Sequence, residues 1–276
     1  MSHKLVVANQ KGGVAKTTTT LTLARFFANR GLRILIVDTD PQASITLALR
    51  GTNRSEHDLH DFIVRQLSFD LCRINVAERI DVLPSGKDTT KVDAILGVKP
   101  SELFSFRGIF GPLEKDYDFV IFDCAPSISV LQTAALIYAQ RLLIPVSMDI
   151  LAIHGALACL ETAHNMNEFY NNTDVRAVAL LPVMVDRRLQ ATKITFDMLE
   201  KIAAKYSLPL LPGIRIDQAV QRANRSKSFL ADHDPRSKAL EDYAAAATAL
   251  AEIMNVESIV RDVAAEEVWS AHEATG

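Results

Sequence analysis

Residues 8–18 read Ala8-Asn9-Gln10-Lys11-Gly12-Gly13-Val14-Ala15-Lys16-Thr17-Thr18. Upstream, Leu5–Asn9 has the pattern of a short buried strand. Downstream, Lys16–Asn29 has the pattern of a helix. A glycine turn between a strand and a helix is the setting in which backbone wraps a polyphosphate. Gly12 and Gly13 let bare N–H groups approach phosphate oxygens, and the start of the helix adds the positive end of its dipole. In that frame Lys16 reaches the β- and γ-phosphates of a nucleotide and the Thr17 hydroxyl ligates Mg²⁺. Val14, Ala15 and Thr18 complete the candidate loop. A dinucleotide fold would need G-x-G-x-x-G at this point, and its absence disfavours NAD. The competing explanation is a chance Gly-Gly turn ahead of a helix.

Outward from the loop, short apolar runs alternate with longer helical patterns. Arg33–Val37, Ile80–Leu83, Phe119–Phe122, Arg141–Val146 and Val178–Val185 read as further strands. Helices are expected near Ser129–Ala139, Leu151–Phe169 and Thr192–Tyr206, and again from Ser237 onward. Strands that are apolar throughout, each followed by a helix, imply a doubly wound, mostly parallel α/β sheet with helices on both faces. No repeat, linker or composition break divides the chain. Residues 1–276 are therefore expected to form one domain, with 237–276 as a C-terminal helical layer. Val256, Ile259, Val260 and Val263 form a stripe at helical spacing, and Trp269 suits a docking residue.

Two strands end in acids. In Phe119-Val120-Ile121-Phe122-Asp123, four apolar residues deliver a carboxylate, the Walker B arrangement that holds the water shell of Mg²⁺. Val37-Asp38-Thr39-Asp40-Pro41-Gln42 places two more acids at a strand's carboxyl end, where an open α/β sheet binds ligands. Asp40-Pro41 equally suits the N-cap of a following helix.

The loop resembles the deviant Walker A of the ParA/MinD family of ATPases, whose pattern is K-G-G-x-G-K-[ST]. The likeness extends to the D-x-D-P-Q string at Asp38–Gln42 and runs from Leu5 to about Ile253; it is closest to small ParA proteins that begin without a helix-turn-helix module. The resemblance implies an ATPase that uses ATP and Mg²⁺ and dimerises around two nucleotides. Lys11 would then cross to the partner's nucleotide, in the manner of an arginine finger. Asp40 would orient the attacking water, Asp38 would support the Mg²⁺ shell, and Arg215 near the Ile214-Arg215 turn would flank the adenine. Partners implied are a second copy of the chain, non-specifically bound double-stranded DNA, and a ParB-like adaptor that stimulates hydrolysis. One position departs from the pattern: Ala15 stands where the family has glycine. If that residue needs φ > 0, strain of about 1–2 kcal/mol charged to binding would lower ATP affinity roughly tenfold. A slow ATPase is the expectation.

Composition bounds the rest. A chain of 276 residues, 49% hydrophobic, can bury a large core, while a net charge of −3 excludes a globally basic nucleic-acid coat. The charge is polarised: residues 175–238 hold twelve Lys/Arg against six Asp/Glu, and residues 239–276 hold one against eight. Arg187, Arg188, Arg222, Arg225 and Lys227 are the DNA-contact candidates, with ordinary surface basicity as the alternative. The acidic tail (Glu257, Asp262, Glu266, Glu267, Glu273) would be repelled by anionic lipid, so no membrane partner is expected. Three scattered cysteines fit a reducing compartment, and a nucleoid-associated cytoplasmic protein is expected. Cys124 reads as a small buried residue, His57 and His60 as a solvated helix start, and His154 as a packed helix residue. The cargo is a plasmid or chromosome in the first reading. A chemoreceptor array, a microcompartment, or a non-hydrolysing switch or scaffold are the alternatives.

Overall fold

A strand of Val, Ile, Leu and Phe with no polar face has to be covered on both sides, and that requirement organises the chain. The computed structural model describes residues 2–49, 56–170 and 173–256. Among these, seven strands form one sheet: β1 (His3–Val7), β2 (Ile34–Asp38), β3 (Ile74–Ala77), β4 (Ile80–Leu83), β5 (Phe119–Asp123), β6 (Arg141–Ser147) and β7 (Arg176–Val183). Their order is β3-β4-β2-β5-β1-β6-β7. All neighbours pair in parallel except β3 with β4.

Alternate residues feed two cores. Val6, Leu35, Val120, Phe122, Leu142 and Ile144 pack under the helices Val130–Ala139 and Ile150–Phe169. Leu5, Ile34, Ile36, Phe119 and Ile121 pack on the opposite face, against the helices Lys16–Ala28 and Lys238–Ile253. Phe27 stacks on Phe119 there, ring centroids 5.0 Å apart. Register then places chemistry: Val7 pairs with Asp123, and Asp38 pairs with Asp123 on its other side. Both carboxylates thus stand at the carboxyl edge, beside the loop that leaves β1.

The antiparallel edge strand β3 and the short helices Leu59–Ile63, Phe69–Cys72, Thr89–Leu96 and Phe106–Phe110 were not apparent from periodicity. Each spans too few residues to establish a period, and β3 is apolar at one position and exposed at the next.

The C-terminal helix Lys238–Ile253 is capped by Ser237, whose side chain accepts from Leu240 N–H. Tyr243 inserts from it toward the helix Lys16–Ala28, its hydroxyl 3.2 Å from Thr19 Oγ1, both residues buried. Val256 is buried, while Ile259, Val260, Val263 and Trp269 lie outside the described residues. Tyr243→Phe would leave the Thr19 hydroxyl without its partner and is expected to cost about 1–2 kcal/mol, read from urea unfolding midpoints with the m-value unchanged.

Candidate nucleotide site

The helix Lys16–Ala28 begins without a cap. Ala15 at its N-cap has φ 57° and ψ 28°, its side chain offers no acceptor, and no acid stands in the first turn. The leading N–H groups of that helix therefore need an acceptor from outside it. Gly13 has φ +77°, and a Cβ built on Gly12 or Gly13 would meet no heavy atom within 4 Å. The space beside both glycines is open, so internal packing does not explain them. Access of an anion to bare backbone does.

Lys16 is 7% exposed and donates to the carbonyl of Lys11 at 2.9 Å. Burial lowers its pKa, against the opposing pull of the Asp123 and Asp40 carboxylates. Asp123 accepts from Thr17 Oγ1 at 2.7 Å and from Thr20 Oγ1 at 3.0 Å. Burial pushes its carboxyl up to about 6, while those two hydroxyls and Lys16 draw it down. The Asp123 carboxylate and the Thr17 hydroxyl, 2.7 Å apart, are oxygen ligands that fit Mg²⁺, and the uncapped helix start offers N–H donors to a nucleotide phosphate. Thr17 and Asp123 are the residues that would hold the ion.

Asp38 ends β2, in register with Asp123. It is fully buried, its Oδ1 accepts from Asp40 N–H at 3.0 Å, and its Oδ2 accepts from Ile45 N–H at 3.2 Å. Burial and the neighbouring Asp123 charge hold it well above the usual carboxylate range. Its visible work is to fix the loop 40–45 and to satisfy the start of the helix Ser44–Ala48. Asp38, and not Asp40, supplies the cap that the Asp40-Pro41 pair suggested. Asp40 instead closes a local turn, accepting from Gln42 N–H at 2.9 Å, and Ser85 donates to its carbonyl. Half-buried and within electrostatic reach of Lys16, its carboxylate remains available to a substrate.

Lys11 reaches Asp149, Nζ to Oδ2 at 3.0 Å, on its own chain. Asp149 also caps the helix Ile150–Phe169 through Ala152 N–H and accepts from Ser147 Oγ. Burial opposes ionisation there, but the Ser147 and Lys11 donors hold the carboxyl below its ordinary value.

Beyond β7, a cleft of about 440 Å³ is lined by Val185, Asp186, Arg187, Arg188, Arg215 and Ile216. Arg215 is forked onto Asp242 at 2.6 and 2.7 Å, and Arg188 onto Asp186 at 2.7 and 2.8 Å. Sequence grouped Arg187 and Arg188 with the DNA candidates; the fold places them on the lip of the same cleft as Arg215. Arg222, Arg225 and Lys227 are exposed on and just after the helix Gln218–Ser226, with Arg222 3.7 Å from Asp234.

Cys124 is buried, its thiol pushed up to about 12 chiefly by burial. His154 is exposed, contrary to expectation, because it falls on the solvent side of its helix. The His57–Asp61 stretch is a helix start, as expected, but a largely buried one. Asp58 and Asp61 form a reciprocal capping box, and His60 and Asp61 are buried. Sequence reading missed Asn9, Thr20 and Asp149. Thr20 lies three residues after Thr17, on the same helix face, and Asp149 precedes an apolar helical run as an N-cap does.

This architecture defines a P-loop nucleotide-binding protein of the ATPase kind. Residues 2–176 match the family model described as an AAA domain. The chain is 28% identical to the sporulation initiation inhibitor protein Soj of Bacillus subtilis over 251 residues, 88% of this chain and 96% of that protein. It is 28% identical to the chromosome partitioning protein ParA of Myxococcus xanthus over 249 residues, 87% of this chain and 85% of that one. Among solved structures, cobyrinic acid a,c-diamide synthase from Mycobacterium smegmatis with bound ADP and magnesium superposes with a TM-score of 0.70 at 30% identity, covering 82% of this chain and 92% of that one. The chain belongs to the ParA/MinD-type P-loop ATPases. Among the described residues no helix is long and apolar enough to cross a membrane.

Ala15 has φ 57°, the left-handed conformation on which the expectation of strain depended. A methyl group there costs about 1–2 kcal/mol. Charged to binding, that strain predicts a roughly tenfold gain in ATP affinity for Ala15→Gly, measured by titration calorimetry. No gain would mean that the strain is not carried by the binding step.

Proposed function

We propose that this chain is a Mg²⁺-dependent partition ATPase. ATP would join two copies face to face, the joined form would hold DNA, and hydrolysis stimulated by a ParB-like adaptor would release it. The observation that carries this reading is the pair of lysines on one glycine turn: Lys16 is buried beneath the loop, and Lys11 is held at its rim by an exchangeable ion pair.

Bare N–H groups at Gly12–Lys16 would receive the phosphates, and Lys16 would exchange the Lys11 carbonyl for phosphate oxygen. Thr17 and Asp123 would hold Mg²⁺, which when bound neutralises charge developing on the phosphoryl group. Asp40 accepts a proton or hydrogen bond from the attacking water, and Asp38 keeps the loop that carries it in place. Lys11, released from Asp149, would supply positive charge to the neighbouring copy's nucleotide. Exposed Ile128, Ile150, Leu151 and Ile216 lie in segments that follow β5, β6 and β7 at the carboxyl edge, and would be covered in such a dimer. The cleft with Arg215 and Asp242 suits the nucleoside end.

Non-specific DNA affinity needs phosphate neutralisation only. Arg222, Arg225 and Lys227 offer it from one short helix, with Arg187 and Arg188 as further candidates, and a dimer would double the patch. The protein would then act in the cytoplasm on nucleoid DNA, as one 276-residue ATPase domain. Relatives named for chromosome partitioning favour a plasmid or chromosome as cargo over a chemoreceptor array or microcompartment.

Two measurements test this. With Mg-ATP and DNA, phosphate release by the natural chain should exceed that of Asp40→Ala by about 10²-fold or more; equal rates would favour a non-hydrolysing switch. Arg222→Glu with Arg225→Glu should abolish ATP-dependent retention of DNA while leaving ATP affinity within about twofold. Undiminished retention would remove the helix Gln218–Ser226 from the DNA surface.

A further inference from the structure

Every polar group of Lys11 is engaged. Its N–H donates to Asn9 Oδ1 at 2.9 Å, its carbonyl accepts from Lys16 at 2.9 Å, and its ammonium meets Asp149 at 3.0 Å. Lys16 and Asp149 are contacts that a phosphate or a second copy would replace. Asn9 is different: it is 0% exposed and lies between Lys11 and the interior.

The Asn9 carboxamide also donates to Pro145 O at 2.8 Å, near the end of β6, and to Ala152 O at 3.3 Å, in the first turn of the helix Ile150–Phe169. One side chain therefore ties three segments together. It must accept from an N–H and donate twice, a combination that an amide supplies and a carboxylate or a hydroxyl does not. The facing helix makes room for it with a glycine. A Cβ at Gly155 would overlap Asn9 Oδ1 and stand 3.1 Å from Lys11 N. A glycine inside a helix is unfavourable by propensity, and here it is what lets the carboxamide occupy its place. After Lys11 come Gly12 and Gly13, whose surroundings are open. Without an anchor at Asn9, nothing in the next two residues would restrict where residue 11 points.

We propose that Asn9, seated against Gly155, is the positioning residue for Lys11: a buried pivot that fixes its main chain so that its ammonium swings between Asp149 and the nucleotide of a second copy. This rests on the reading of Lys11 as a lysine that acts across a dimer. Gly155→Ala favours the helix while displacing the carboxamide, and Asn9→Ser is the second variant should the first lower the melting temperature. With Mg-ATP, either variant is expected to bind a fluorescent ATP analogue within about threefold of the natural chain, yet to lose at least about tenfold in ATP-dependent dimer formation and in turnover. Placed on Lys11→Ala, Gly155→Ala should cause no further loss, because the pivot acts only through that lysine. The proposal is overturned if dimerisation and turnover fall only as far as nucleotide affinity, or if the losses of Gly155→Ala and Lys11→Ala multiply. If Lys11→Ala alone leaves dimerisation and turnover intact, the trans reading fails first and the pivot with it.

Discussion

A helix that starts without a cap exposes N–H groups that nothing within it can satisfy, and the helix Lys16–Ala28 starts that way. Among the other described helices of eight residues or more, those beginning at Val130, Ile150, Gln218 and Lys238 are capped by a side chain, from Ser129, Asp149, Asp217 and Ser237, while those beginning at Thr89 and Gln190 are not. At Lys16 the place of the cap is taken by Ala15 in a left-handed turn. The sheet fixes β1 next to β5, β5 delivers Asp123 to Thr17 and Thr20, and the space beside Gly12 and Gly13, in the loop ahead of the uncapped helix, is open.

Electrostatics follow from that choice. Buried together at the loop are the Lys16 ammonium and the Asp123 and Asp38 carboxylates, each shifted toward its neutral form chiefly by burial. Such a group is stable only where partners are within hydrogen-bonding reach. Two hydroxyls serve Asp123, two amides serve Asp38, and one loop carbonyl serves Lys16. The arrangement is satisfied internally yet ready to exchange the Lys16 carbonyl contact for phosphate. Lys11 stands in the same condition, paired with Asp149 at the half-exposed rim.

Much of this was legible from residue order. The loop, the Walker B strand and the sheet's parallel character follow from runs that are apolar on both faces and bounded by glycine or aspartate. Other parts were not, for physical reasons. The roles of Asp38 and Asp40 depend on which amides fold back onto them. Asn9 and Gly155 are far apart in sequence and meet only because β1 lies beside β6. Arg187 and Arg188 read as free basic charge until the fold set them beside Arg215 around one cleft. Apart from β4, the segment 56–113 carries short elements that periodicity does not declare.

In the proposed dimer Lys16 serves its own subunit's nucleotide and Lys11 its neighbour's. Trans-complementation examines that division directly. Lys11→Ala and Asp40→Ala proteins, mixed in equal amounts with Mg-ATP and DNA, should recover turnover up to about a quarter of the natural rate, since half of randomly paired dimers are mixed and each carries one complete site. Turnover no greater than the sum of the two proteins assayed apart would contradict it.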